Sequence, residues 1–514
     1  MKTLNSEMTK NSRTDYLLSA LSGLLLILSF PPLNLYLLAW IGLVPLLIAL
    51  RDKNSRSSFT LGLLTGLIYF LGTVYFVYNS MAMYGHLGAA VSVLLTLLLC
   101  SYLALYLGAF ALLFNYVSSR SAGYGIISVP VIWVAFEYIR THALTGYPWS
   151  LLAHSQHAFL SVIQIADITG VYGVSFLVAG FSALVYAILH YGRACKGRVL
   201  LSIALYLVLL ADSLFYGYER TNEAQHGNFV RVGIVQGNIE QDRKWDSRFQ
   251  QESIEKYRRL TLDLMKDRPD LIVWPETALP FIFDYDAELT DGIMEFQREL
   301  NSWLLLGSVM LRDGEHVTNS AILLNPEGTE ASVYDKIHLV PYGEYVPFKE
   351  LLPFVKKLTA GVGDFQRGGS YSVMKTPNAA IGSLICYEII FPDLVRRFVD
   401  NGANLIVNIT NDAWFGRTSA PYQHFAIAVF RAVENRVPVA RAANTGISGF
   451  IDSRGRIIRK SGIFTETGMT EVLRLGSGSK SIYTRYGDVF AGLCLAGLII
   501  IAAGAYISDR RKKR

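Results

Sequence analysis

Apolar residues dominate the first 216 positions, in runs close to the roughly 20 residues a helix needs to cross a hydrocarbon core. These runs fall at roughly 16–31, 34–50, 58–78, 88–116, 124–139, 168–190 and 199–216, and another lies at 488–507. The pattern predicts about eight membrane spans. The first run is short and ends in Pro31 and Pro32, so a proline-interrupted pair or re-entrant hairpin over 16–50 is the alternative. It lacks a small-residue cleavage site and more apolar runs follow at once, so it reads as a retained anchor.

The pattern changes between Gly227 and Gly476, where short β-rich runs alternate with turns and helical stretches: FVRVGIVQ, DLIVWPE, WLLLGSV, SAILLN, AIGSLICYE, NLIVNIT and PVARAAN. Such runs suit strands buried on both faces, in a sandwich of sheets covered by helices. About 250 residues can bury a core of their own. The expected organisation is a polytopic α-helical membrane bundle of about seven helices over 1–220, an α/β catalytic domain over 227–476, a C-terminal span over 485–508 and a basic tail over 509–514.

Composition agrees, with hydrophobic residues at 52% and charged residues at 17% of 514. The formal net charge of +6 sits in short clusters that flank apolar runs, which excludes a nucleic-acid stripe. Lys2, Lys10 and Arg13 precede the first run. Arg51, Lys53 and Arg56 follow the second, Arg120 the fourth, and Arg193, Lys196 and Arg198 the sixth, while Arg510 to Arg514 end the chain. Cytoplasmic loops carry such excess, so both termini are expected in the cytoplasm and the polar domain outside, on the periplasmic side of a bacterial inner membrane. Up to residue 216 the acidic residues are Glu7, Asp15, Asp52, Glu137, Asp167 and Asp212, which predicts a bundle almost uncharged inside. Cys100 and Cys494 lie in apolar runs and Cys195 in a basic loop, so no disulfide framework is readable.

Three residues stand out in the polar half. Cys386 lies in LICYEII, Glu276 in DLIVWPETALP and Lys336 in VYDKIHLVPYGEYVP. Each has an ordinary reading by itself: a buried structural thiol, a solvated strand-end glutamate, and a surface lysine paired with Asp335 or Glu344. Together, a Glu, a Lys and a Cys in that order, each at or just after a β-like run, resemble the triad of the nitrilase, or carbon-nitrogen hydrolase, superfamily, whose fold is an αββα sandwich. A free thiol is only a few per cent thiolate at neutral pH, so a base must take its proton during attack on an acyl carbonyl. Glu276 is assigned that role. Lys336 is assigned to the oxyanion, helped by the backbone N–H of Tyr387. Glu344 and Glu388 are expected to hold Lys336 charged and oriented.

Further segments narrow the resemblance: TGYPWSLLAHSQ, ADITGVYGVSF, VQGNIEQDRKWD, NITNDAWFG and YQHFAIAVFRAVENRVPVARAANTG. With these and the apolar runs, nearly the full chain resembles the apolipoprotein N-acyltransferase family. It departs from the family pattern at AHSQ, where a glycine and an aromatic are expected before Ser155 and Gln156. The resemblance implies transfer of an acyl chain from a membrane phospholipid, usually the sn-1 chain of phosphatidylethanolamine, through a cysteine thioester to the α-amine of a diacylglyceryl-cysteine on an apolipoprotein. It implies no cofactor, no metal and a monomer. Trp245, Trp414 and Phe415 are candidate lipid contacts, with residues 348–363 as a lid; core packing serves equally for each aromatic. Asn411 and Asp412 suit turn hydrogen bonds as well as substrate contact. The competing readings are a membrane-tethered amidase or nitrile hydrolase with the same triad, and a non-catalytic lipid-binding or transport protein.

Overall fold

The computed structural model describes residues 12–85, 87–120, 125–191, 197–224, 226–345, 365–476 and 478–513. Cys195 and the 348–363 segment lie outside the described residues. Two compact units emerge: one takes the chain up to Tyr78, then Ala89–Thr221, and again from Asp488; the other takes Asn79–Gly88 and Asn222–Gly487.

The first unit is helical. Among the described residues, five helices are long and apolar enough to cross a membrane: Ser55–Val74, Ala89–Ser118, Val171–His190, Val199–Asn222 and Val489–Ser508. The other three expected spans differ for identifiable reasons. The helix Arg13–Leu28 has only 16 residues. The 34–50 run breaks into Leu38–Ile41 and Val44–Ala49, with Pro45 in the first turn of the second piece. Both pieces pack on Arg13–Leu28. The helix Gly125–His142 carries Glu137, Arg140 and His142 near its end, which lowers its hydropathy.

The expectation of an uncharged interior also needs correcting, because Glu137, Arg140 and Asp167 are all buried. Irregular backbone follows Gly125–His142, and its polar groups need partners where water is scarce. Arg140 donates to the Trp149 carbonyl at 2.7 Å and the Ser150 carbonyl at 3.2 Å, and Glu137 accepts from the Leu152 N–H at 2.7 Å. Asp167 accepts from the Tyr216 hydroxyl at 2.8 Å and from Arg220 at 3.0 Å.

The second unit holds thirteen strands among its described residues. The first sheet contains β1 (Phe229–Gln236), β2 (Leu271–Val273), β3 (Ile282–Phe283), β4 (Trp303–Arg312), β5 (His316–Leu324), β6 (Glu330–Asp335) and β13 (Thr467–Arg474), in the order β13-β1-β2-β4-β5-β6 with β3 beside β4. The second contains β7 (Val373–Lys375), β8 (Ala380–Ile385), β9 (Leu405–Thr410), β10 (Val439–Ala443), β11 (Gly449–Ile451) and β12 (Ile457–Lys460), in the order β12-β11-β10-β9-β8-β7. The sheets face each other, β1 toward β10 and β5 toward β8. The helices Gln250–Leu264 and Ala287–Leu300 press Tyr257, Leu264, Ile293 and Phe296 onto Ile272, Trp274, Leu304 and Ile322 of the first sheet and its edge. Pro392–Asp400 and Ala420–Asn435 pack on the second. This is an αββα sandwich.

All seven β-rich runs form strands; six lie in the parallel stretches β1-β2-β4 and β8-β9-β10, and the seventh, β5, is buried on both faces between antiparallel neighbours. The carboxyl ends of β2, β8 and β9 lead directly into WPE, CYE and NDAWF, so the topology delivers the candidate chemistry to one end of the sheets.

Within the helical unit, Ser55–Val74 approaches Ala89–Ser118 through small residues. A Cβ on Gly62 would fall 2.5 Å from the Ala111 Cβ and collide with the Leu107 carbonyl, and one on Gly66 would lie 2.9 Å from the Ala104 Cα. Close backbone approach of this kind drives helix association in lipid. Gly62→Val is therefore expected to destabilise by about 1–3 kcal/mol, read as a lower thermal midpoint in detergent. Gly504→Val, at a position with open space around it, should leave that midpoint unchanged.

Candidate active site

Glu276 follows Trp274 and Pro275 beyond the end of β2 and is 6% exposed. Its Oε1 accepts from Asn319 Nδ2 at 2.8 Å and faces Lys336 Nζ at 3.4 Å, and its Oε2 accepts from the backbone N–H of Asn411 at 2.8 Å. Gly307 of β4 makes room for this turn. A Cβ there would sit 2.6 Å from the Glu276 Cα and from the Pro275 carbonyl.

Lys336 follows β6 and is 1% exposed. Its Nζ donates to Glu344 Oε1 at 2.8 Å. Burial pulls the ammonium toward neutrality, but the carboxylates of Glu344 and Glu276 outweigh it and hold Lys336 well above the ordinary lysine range. Asn319 ties the two carboxylates together by donating to Glu344 Oε1 at 2.9 Å as well as to Glu276.

Cys386 opens the 3-10 turn Cys386–Ile390 at the end of β8, with φ at +53°. A left-handed non-glycine residue is a strained corner and persists only where its surroundings impose it. Burial pushes the thiol pKa up, the Glu276 charge pushes it further, and Lys336 only partly reverses them.

Glu388 does a different job from the one expected. Its Oε1 accepts from the Tyr334 hydroxyl at 2.7 Å and from the backbone N–H groups of Ile337 at 2.7 Å and His338 at 3.0 Å. Its Oε2 accepts from the Ile385 N–H at 2.8 Å. It holds the backbone after Lys336 against the backbone before Cys386; its carboxylate also feels the Lys336 charge, while the direct contacts of that ammonium are Glu344 and Glu276. Tyr387 contributes a half-buried ring that meets Phe391 edge-on at 5.2 Å.

Of the aromatic candidates, Trp245 is 49% and Trp414 40% exposed, while Phe415 is half-buried. Trp414 and Phe415 are held by the Asn79–Gly88 segment: Ser80 donates to the Trp414 carbonyl at 2.9 Å, Asn79 to the Phe415 carbonyl at 3.3 Å, and Tyr84 meets the Trp414 ring edge-on at 5.3 Å. Asn411 donates through its side chain to Gln241 at 2.7 Å, and Asp412 is fully buried.

Sequence reasoning missed Asn319 and Lys244. Lys244 ends the short helix Gln241–Lys244, is 2% exposed, and donates to the Glu276 backbone carbonyl at 3.0 Å. Burial lowers its pKa to about 8 against the opposing pull of the Glu276 and Cys386 charges. Asn319 lies in a polar Thr318-Asn319-Ser320 stretch of β5 that does not single it out, and Lys244 in QDRKWD reads as a solvated charge.

The fold and the Glu–Lys–Cys cluster define a carbon-nitrogen hydrolase catalytic domain, and residues 231–477 match that family, while residues 22–184 match the apolipoprotein N-acyltransferase N-terminal domain. The chain is 46% identical to the apolipoprotein N-acyltransferase of Geobacter metallireducens, covering 97% of this chain and 96% of that one. It is 31% identical to that of Pasteurella multocida, over 96% of each. Among solved structures it is similar to the carbon-nitrogen hydrolase of Helicobacter pylori G27, with a TM-score of 0.40 and 15% identity over 52% of this chain and 95% of that one. The chain belongs to the apolipoprotein N-acyltransferase family and is an N-acyltransferase.

The depressed pKa of Lys244 has a measurable consequence. The folded protein binds this proton less tightly than the unfolded chain, so stability should rise as pH climbs from about 8 toward the ordinary lysine value of about 10.4. Lys244→Met removes that dependence. The thermal-midpoint difference, wild type minus variant, is expected to grow in favour of wild type between pH 8 and 10, and a flat difference would rule out a depressed Lys244.

Proposed function

We propose that this protein transfers an acyl chain from a membrane phospholipid, with the sn-1 chain of phosphatidylethanolamine as donor, through a thioester on Cys386 to the α-amine of a diacylglyceryl-cysteine at the N-terminus of an apolipoprotein. The observation that carries the reading is the convergence of Glu276 and Glu344 on the buried ammonium of Lys336, with Cys386 under the electrostatic influence of Glu276 and Lys336. The name of the family supports an apolipoprotein acceptor, and the apolar helices suit a donor and an acceptor whose tails stay in a bilayer. The catalytic domain works on the periplasmic side of the inner membrane, with both termini in the cytoplasm, as a monomer without cofactor.

In the first step Cys386 Sγ bonds to the ester carbonyl carbon while its proton passes to Glu276, and the carbonyl oxygen becomes an oxyanion facing the Lys336 ammonium. Collapse breaks the ester C–O bond, and Glu276 returns the proton to the departing lysophospholipid hydroxyl, leaving a thioester. In the second step the neutral α-amine attacks the thioester, Glu276 takes its proton, and the Cys386 sulfur leaves and recovers that proton. The products are an amide and free enzyme. Trp245, Trp414 and Phe415 serve as apolar contacts for the chains.

Incubation with alkyne-tagged phosphatidylethanolamine alone should add one acyl group to Cys386 with release of lysophospholipid, by mass spectrometry. A diacylated lipopeptide with a free α-amine should then discharge it as an amide. Cys386→Ala, Glu276→Gln and Lys336→Met should insert normally and acquire no label, and neutral hydroxylamine should strip the wild-type label. Label that appears only with acceptor present, or that survives on Cys386→Ala, would replace this mechanism with direct transfer. Steady release of free fatty acid without acceptor would favour hydrolysis.

Orientation is tested separately. A periplasm-active reporter fused after Glu219 should be active and one fused after Arg514 silent. Activity at the C-terminal fusion would overturn the orientation.

A further inference from the structure

Behind the catalytic residues lies a second polar cluster that the reaction described above leaves without a role. Asn408 and Thr410 of β9, Asp412 of the following turn, His424 of the helix Ala420–Asn435 and Arg441 of β10 are all completely buried. Arg441 donates to Asp412 Oδ2 at 2.9 Å and to the Asn408 side-chain oxygen. His424 Nδ1 lies 3.0 Å from Asp412 Oδ1 and 2.9 Å from the Arg441 guanidinium, and the Thr410 hydroxyl donates to Asp412 Oδ1 at 3.1 Å. Gly446 closes the far side, where a Cβ would collide with the Asp412 carboxylate.

Stability alone is a poor reason to bury these charges, because an ion pair of this kind is often replaced by apolar residues at no cost. The connections of the cluster give a better one. Asn408 donates to the Leu384 carbonyl at 3.1 Å and to the Cys386 carbonyl at 3.4 Å, so one end of the cluster reaches the strained nucleophile corner. At the other end, Asp412 anchors the turn whose preceding residue, Asn411, presents its backbone N–H to Glu276 Oε2 at 2.8 Å. A single rigid cluster thus reaches both the base and the nucleophile from behind, at the ends of adjacent parallel strands.

We infer that Asp412, His424, Arg441 and Asn408 are positioning residues that hold the Cys386 corner and the Glu276 carboxylate in register for proton transfer. The inference rests on the acyl-enzyme reading. Burial and the Arg441 charge push the His424 pKa down, and Arg441 and Asp412 pair with each other at 2.9 Å.

The test uses the full-length protein in detergent with alkyne-tagged phosphatidylethanolamine, following formation of the acyl-enzyme in single turnover. Because displacements near 1 Å can cost about a hundredfold, Asp412→Asn and Gly446→Ala are expected to lower the acylation rate constant by about 10- to 100-fold. The phospholipid concentration for half-maximal rate should stay within about twofold of wild type. Gly446→Ala removes no polar group, so it reports displacement of the carboxylate even if Asp412→Asn fails to fold. His424→Ala should lose rate similarly, and His424→Asn, which keeps a polar atom near the Nδ1 position, should recover most of it. Variants that label at wild-type rates while melting at lower temperature would overturn positioning and leave a purely structural cluster. A wild type that never labels would instead overturn the acyl-enzyme reading on which the inference stands.

Discussion

The catalytic unit is organised around one electrostatic constraint, a lysine ammonium taken almost completely out of water. Such a charge costs several kcal/mol to bury unless carboxylates and hydrogen bonds replace its hydration. Glu344 at 2.8 Å and Glu276 at 3.4 Å supply the compensation, and Asn319 spans the two carboxylates so that neither is left to repel the other unopposed. Much of the local architecture follows from that arrangement. Gly307 must lack a side chain for the Glu276 turn to fit, Asn411 must offer its N–H, and Lys244 brings a second ammonium to the Glu276 backbone.

The same constraint shapes the chemistry. In the reaction proposed above, transfer of the thiol proton to Glu276 removes a negative charge from one side of Lys336 as an oxyanion forms on another. Negative charge then migrates across a fixed cation and is not created in an unprepared environment. Little reorganisation is needed at the transition state, and this is the main way preorganised sites lower barriers.

How much of this was legible in the sequence depends on which force left its mark there. Doubly buried parallel strands advertise themselves as continuous apolar runs, and all seven runs became strands. The short strands β3, β7 and β11, and the edge strands β6, β12 and β13, carry no such run and were not among the seven. The three triad candidates stand out through their order and strand-end contexts, and the structure sets Glu276 3.4 Å from the buried Lys336 ammonium, with Cys386 under the electrostatic influence of both. Glu388 was assigned to that ammonium because a nearby carboxylate is the simplest partner to imagine; its actual partners are three backbone N–H groups and a tyrosine hydroxyl, which no sequence pattern encodes. Hydropathy likewise missed Glu137 and Arg140 as internal residues, since it scores the cost of a charge and ignores the backbone carbonyls and N–H groups that need one.

The segment Asn79–Gly88 belongs to the catalytic unit by its contacts, although it connects two of the apolar helices. Its Ser80–Tyr84 portion is a π-helical turn, a rare form that tends to occur where function requires it. The chain therefore passes between the units four times, and the catalytic unit is assembled from two separate stretches of sequence. Excising residues 222–487 as a soluble fragment would leave the Trp414 and Phe415 carbonyls without the donors that Ser80 and Asn79 provide. The catalytic half is in this sense not one continuous stretch of the chain, because a piece of it is encoded between two helices of the other half.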